Sequence, residues 1–243
     1  MKTILITGAT RGLGLEIAKS CVQQGYKVLG LGRKESEGFK TLQSESLYSS
    51  GALIFCPFDL SATTGYQDFS RDILKTHGPI YGLINNAAIG LDGVLATMHE
   101  NEIMNMLQVN VAAPILMTKY ISRSMLVQRE GRIINISSII ANTGFNGLSV
   151  YAATKAALIG FTKSLAREVG RVNITVNAIC PGYMETDMTN TLRETDVAKI
   201  IRRSPLNRLT NVEDVVGMIL HLLGAQAGST TGATFTIDSG SSA

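Results

Sequence analysis

The chain has 243 residues, 45% of them hydrophobic and 17% charged, which excludes a disordered chain and suits one large α/β domain spanning 1–243 with a substantial core. A formal net charge of +3, with no Lys/Arg run and no interleaving of aromatic and basic residues, excludes an evident nucleic-acid surface. No apolar stretch reaches the roughly 20 residues of a membrane span, and the apolar run from Ile4 to Ile6 is too short for a signal peptide, so the expected location is cytoplasmic.

Thr3 to Thr7 reads as a buried strand and leads into the turn Gly8-Ala9-Thr10-Arg11-Gly12-Leu13-Gly14. Leu13, Ile17 and Cys21, with Ala18 and Val22, then form an apolar helical stripe, and Gly25 stands where a helix C-terminus favours positive φ. In a strand-turn-helix setting, glycines that lack Cβ atoms let backbone N–H groups approach a pyrophosphate, and the helix N-terminus adds a favourable dipole. The alternative is an ordinary tight turn; the strand before it and the helix after it favour nucleotide binding.

Lys27 to Leu31 gives the second strand. A site that holds the ribose 2′-hydroxyl usually has Asp or Glu at its end, whereas this chain has Gly32 and Arg33. Arg33 and Arg11 supply guanidinium groups suited to a 2′-phosphate, so NADPH/NADP+ is the expected cofactor, with Glu35 and Glu37 keeping NADH as the alternative. Further strands are expected at Leu53 to Phe58, Tyr81 to Asn85, Arg132 to Ser137, Ile174 to Ile179 and Thr234 to Asp238, seven in all. Strands alternating with helical patterns give a Rossmann-like, doubly wound parallel sheet with helices on both faces. Long helical patterns run from Glu100 to Arg129 and from Val150 to Gly170, and Asn211 caps a last helix that ends near Leu223. The polar stretch from Gly182 to Pro205 is expected to be a movable flap beside the site rather than a plain connection. Cys21, Cys56 and Cys180 are widely spaced in apolar surroundings, so neither a disulfide framework nor a metal site is expected.

Tyr151 and Lys155 are one helical turn apart, so the ammonium can lie near the phenol and favour its ionised form. A free tyrosine titrates at about 10, and a fixed cation is a direct way to bring it nearer neutrality. Ser138 lies upstream beside Ser137, and strand alternation decides which of the two faces the site.

The Gly-x-x-x-Gly-x-Gly turn, Asn85-Asn86-Ala87-Ala88, Asn110, Ser138, Tyr151-x-x-x-Lys155 and Pro181-Gly182 resemble, in order and over the full length, the short-chain dehydrogenase/reductase family. Within it, the segments Tyr151 to Glu168 and Pro181 to Thr189 are similar to those of 3-oxoacyl-[acyl-carrier-protein] reductases of fatty acid biosynthesis, a part of lipid metabolism. The resemblance implies that Tyr151 is the acid in carbonyl reduction, that Ser138 orients the carbonyl, that Lys155 tunes Tyr151 and binds the cofactor ribose, and that Asn110 holds a water leading from Lys155 to solvent. It implies cofactor contacts from Gly8, Thr10, Arg11, Gly12, Leu13, Gly14, Arg33, Asp59, Leu60, Asn86, Ala87, Ala88, Tyr151, Lys155, Pro181, Gly182, Met184 and Thr186. Spacing to Tyr151 in the family selects Ser138 over Ser137.

The implied function is NADPH-dependent reduction of a 3-oxoacyl thioester carried by acyl-carrier protein or coenzyme A. A broader ketone or aldehyde reductase is one alternative. A catalytically weak NADPH-binding partner subunit is another, supported by Ala88 where the family has glycine. The two long helices resemble those of a four-helix dimer contact, usually within a homotetramer. Arg129 and Arg171 are candidates, by resemblance, for a basic rim at the site mouth that docks an acidic acyl-carrier protein.

Overall fold

A computed structural model describes residues 1–47, 50–184 and 194–243. Seven parallel strands, β1 (Thr3–Thr7), β2 (Lys27–Gly32), β3 (Ala52–Pro57), β4 (Gly82–Asn85), β5 (Gly131–Ile136), β6 (Ile174–Pro181) and β7 (Thr234–Ile237), lie in the order β3-β2-β1-β4-β5-β6-β7. The central strands β1, β4, β5 and β6 are buried throughout, so they read as largely apolar runs, whereas the edge strands β3 and β7 are partly exposed; alternation along each strand sends successive side chains to opposite layers. Ile4, Ile6 and Ile134 face one layer with α1 (Gly12–Gln23), α2 (Glu37–Ser46) and α9 (Val212–Leu223). Leu5, Leu83 and Ile133 face the other with α3 (Tyr66–His77), α5 (Ala113–Gln128) and α7 (Ser149–Val169).

The order turns back on itself between β1 and β4, which both begin their exit loops at the same end of the sheet. Crevices of this kind, outside the carboxyl ends of the strands, are where doubly wound sheets bind ligands.

Two expectations need correction. The Glu100 to Arg129 pattern is not one regular helix: α4 (Glu100–Leu107) and α5 are joined by a wider π turn over Gln108–Ala112. The stretch from Gly182 to Pro205, read as a loop long enough to serve as a flap, contains a helix, α8 (Glu194–Arg203). Val197, Ile200 and Ile201 are half-buried and share one helical face, but three apolar residues among so many polar ones make a weak pattern. Residues 185–193 of that stretch, including Thr186, lie outside the described residues. A further helical turn, α6 (Ile140–Thr143), follows β5.

Candidate active site

The glycine turn leaves β1 and enters α1 at the crevice. Gly8 has φ +65, and a Cβ there would come 2.9 Å from Ala87 Cα; one on Gly14 would come 2.0 Å from the Gly8 carbonyl oxygen. Backbone here is folded more closely than any side chain allows, leaving the first N–H groups of α1 without intrahelical partners. That cradle suits a pyrophosphate.

Polar side chains fix the loop. Asn86 Nδ2 donates to the Thr7 and Gly8 carbonyls at 3.0 and 3.2 Å, while Thr7 Oγ1 accepts from the amides of Asn86 and Ala87, each at 3.0 Å. Ser36 accepts from the Phe39 amide, capping α2, and its hydroxyl donates to the Thr10 carbonyl at 2.5 Å. Thr7 and Ser36 were missed in the sequence because a threonine ending a strand and a serine capping a helix look purely local.

Arg11 and Arg33 are exposed beside this cradle. Asp59 closes β3 next to Arg33; its carboxyl lies below the usual range, chiefly because it accepts from the Ser61 amide at 2.9 Å, with the Arg33 charge adding a smaller effect. Leu60 is half-buried and its carbonyl accepts from the Tyr66 hydroxyl. Glu37 is turned to Lys40, 2.7 Å away, leaving Glu35 as the nearer exposed carboxylate after Arg33. Ala88 is not among the residues with positive φ, so glycine is not needed there for backbone reasons and the methyl group imposes no strain.

The chemistry-bearing residues gather at the carboxyl ends of β5 and β6. Ser138, one residue beyond the buried Ser137, hydrogen bonds with the Tyr151 phenol. Ser137 instead donates to the Lys155 carbonyl at 2.8 Å. Lys155 is fully buried, with Nζ 5.6 Å from the Tyr151 ring centroid and donating to the Ile136 carbonyl at 2.8 Å. The expectation that Lys155 lowers the Tyr151 pKa is not met in this arrangement. Burial pushes the phenol up to about 12 and pushes the ammonium down to about 8, because both charged forms lose solvation.

Asn110 is fully buried in the π turn. Its Oδ1 accepts from the Ile89 amide at 2.9 Å, and its Nδ2 donates to the Ile89 carbonyl at 2.8 Å and to Thr154 Oγ1 at 3.1 Å. Thr154 in turn donates to the Tyr151 carbonyl at 2.7 Å. Asn110 therefore ties the loop after β4 to the turn of α7 that bears Tyr151, and the widened helix turn lets a side chain leave the regular ladder at this point. A second buried chain, Asn85 to Asn135 to Thr162, with steps of 2.8 Å, locks β4, β5 and α7 together. Pro181 is buried, and Gly182 and Met184 are half-buried, all where β6 ends beside Ser138.

Arg129 and Arg171 are exposed, but they precede β5 and β6 and so stand at the amino ends of the strands. The six-residue β5 separates Arg129 from Ser138 by roughly 20 Å at about 3.3 Å per residue. The expectation that they rim this chain's own catalytic mouth is thereby corrected.

The family model for short chain dehydrogenase matches residues 2–197. The chain belongs to that family. It is 35% identical over 239 residues to the 3-oxoacyl-[acyl-carrier-protein] reductase FabG of Salmonella typhimurium and 36% identical to that of Chlamydia pneumoniae, covering 98% of this chain and 96% of each relative. Among solved structures, a putative NAD(P) dependent gluconate 5-dehydrogenase from Beutenbergia cavernae with bound NADP at low occupancy superposes with a TM-score of 0.92. It is 30% identical and covers 98% of this chain and 96% of its own. A mutant of a Serratia marcescens short-chain dehydrogenase/reductase gives the same score and identity, covering 100% of this chain and 98% of its own. The protein is thus an oxidoreductase with a Rossmann-like fold. Among the described residues no helix is long and apolar enough to cross a membrane.

Proposed function

We propose that this oxidoreductase, acting as one domain over 1–243, reduces a 3-oxoacyl thioester to the 3-hydroxyacyl thioester with NADPH. The observation that carries the reading is the convergence of Ser138, Tyr151 and Lys155 beside the glycine cradle. The FabG relatives indicate the substrate class, and NADP in the Beutenbergia neighbour supports the cofactor.

Gly8, Gly12, Leu13 and Gly14 would hold the dinucleotide's pyrophosphate through backbone N–H groups and Arg11 and Arg33 its 2′-phosphate, and the group when bound would supply the hydride that reduces the carbonyl carbon. Ser138 donates a hydrogen bond to the carbonyl oxygen, and the Tyr151 hydroxyl gives that oxygen its proton as negative charge develops. A phenol raised to about 12 is fully protonated near neutrality, so in this state Tyr151 is loaded as an acid. Lys155 holds a positive charge near the phenolate that results, and Asn110 acts by fixing Tyr151 and Thr154 in place.

The reading is tested by following NADPH consumption with a panel of 3-oxoacyl thioesters and simple ketones. Thioesters are expected to be the better substrates; a clear preference for simple ketones would establish the broader reductase instead. Replacing Arg33 by Asp is expected to shift preference toward NADH by about tenfold or more, because it removes a phosphate partner and adds repulsion. An unchanged ratio of kcat/KM for the two cofactors would show that Arg33 points elsewhere.

We also infer a cytoplasmic location and self-association up to a homotetramer through α4, α5 and α7; Met104 and Leu107 on α4 and Ile115 on α5 expose apolar surface there. An acyl-carrier protein docked at Arg129 and Arg171 would then serve the site of a neighbouring copy.

A further inference from the structure

One of the exposed apolar patches lies at the edge of the catalytic residues. Phe145, on the loop between α6 and α7, is 53% exposed, and Val94 and Leu95 are 61% and 55% exposed. The two loops are joined: the Gly93 amide donates to the Gly147 carbonyl at 2.9 Å.

Phe145 is held edge-on to Tyr183, with ring centroids 6.4 Å apart at 66°. Tyr183 and Leu148 pack, with Tyr151 itself, against Ile139, Ile140 and Cys180. A continuous apolar wall therefore leads from the Tyr151 ring, through Tyr183, to an aromatic ring left largely in water. A solvent-facing phenylalanine in a favourable edge-to-face contact is a surface ready to be covered.

We propose that the Phe145–Tyr183 pair is the acyl-chain wall of this site and sets a preference for medium-length over short 3-oxoacyl groups. The proposal rests on the thioester reading above and adds to it the residues that choose among thioesters. An alkyl chain has no polar groups to satisfy, so each methylene laid against the two rings leaves water at a gain of free energy, whereas an acetoacetyl group ends before reaching Phe145. Because Phe145 stands on the far side of Tyr183 from Tyr151, it should bind substrate and transition state alike and act mainly on KM.

The test compares free 3-oxoacyl thioesters of N-acetylcysteamine with four-carbon and ten-carbon acyl groups on the full-length chain. The unaltered enzyme should favour the longer substrate in kcat/KM. Phe145→Ala should lower efficiency with the longer one by about tenfold, mostly through KM, and leave the shorter within about twofold. Phe145→Leu, which restores apolar bulk, and Tyr183→Phe, which keeps the ring, should retain most of the preference. Equal losses with both substrates, an unaltered enzyme indifferent to length, or a preference that survives Phe145→Ala would each overturn the wall. Reduction of simple ketones alone, with no thioester accepted, would instead overturn the underlying substrate reading.

Discussion

Tyr151→Phe is expected to leave NADPH binding nearly unchanged and to cut turnover by at least about 10²-fold, the usual scale for removing a positioned acid. The change deletes only the hydroxyl. The ring keeps its place beside Ile139, Ile140 and Tyr183, and the Thr154 bond to the Tyr151 carbonyl does not involve the side chain. What disappears is the group that shares a hydrogen bond with Ser138 and carries the transferable proton. Fluorescence titration with NADPH and single-turnover measurement separate binding from chemistry. Near-normal turnover would remove Tyr151 as the proton donor, and loss of cofactor binding in proportion would make it a packing residue. Since burial raises this phenol to about 12, Tyr151 should remain protonated and able to act as the acid throughout the neutral range, with reduction losing rate only as pH approaches that value.

The parallel sheet was legible in the sequence because its strands are buried on both sides and separated by helical patterns. All seven predicted strands are present, within a residue or two at their ends. The glycine turn was equally plain, since its Cβ-free positions follow directly from close backbone contact. Less visible were features that depend on partners distant in sequence. Asn110 looks like a mildly misplaced helix residue until the π turn brings it to Ile89 and Thr154. Thr7 and Ser36 look like a strand end and a helix cap until their second bonds to Asn86, Ala87 and Thr10 are drawn. The spacing of Tyr151 and Lys155 was also misleading about energy. One helical turn fixes their proximity, but the direction of each pKa shift follows from burial, which no local pattern records. Only the placement of Arg129 and Arg171 beside this chain's own site was misjudged, for a topological reason: helices in a parallel sheet return the chain to the far end before each strand.

Lys155→Met is expected to abolish most turnover, by about 10²-fold or more, while raising thermal stability. Burial holds the Lys155 ammonium at a pKa of about 8, against about 10.4 in an unfolded chain, a difference worth roughly 3 kcal/mol. Loss of the bond to the Ile136 carbonyl takes back about 1 kcal/mol, leaving a net gain of about 2 kcal/mol and a rise in Tm of about 5 °C at neutral pH. The sign follows from proton uptake. Between the two pKa values the unfolded chain binds more protons at this lysine than the folded one, so the unaltered protein gains stability as pH rises through that window. The advantage of Lys155→Met is therefore full below about pH 8 and closes as pH approaches the unfolded value. Calorimetry at neutral and alkaline pH, run beside turnover assays, reads both effects. A variant that melts lower than the unaltered chain at neutral pH would show that Lys155 is retained for packing. A higher Tm with lost turnover would mean that a buried ammonium is kept at a cost in stability because the reaction at Tyr151 needs its charge.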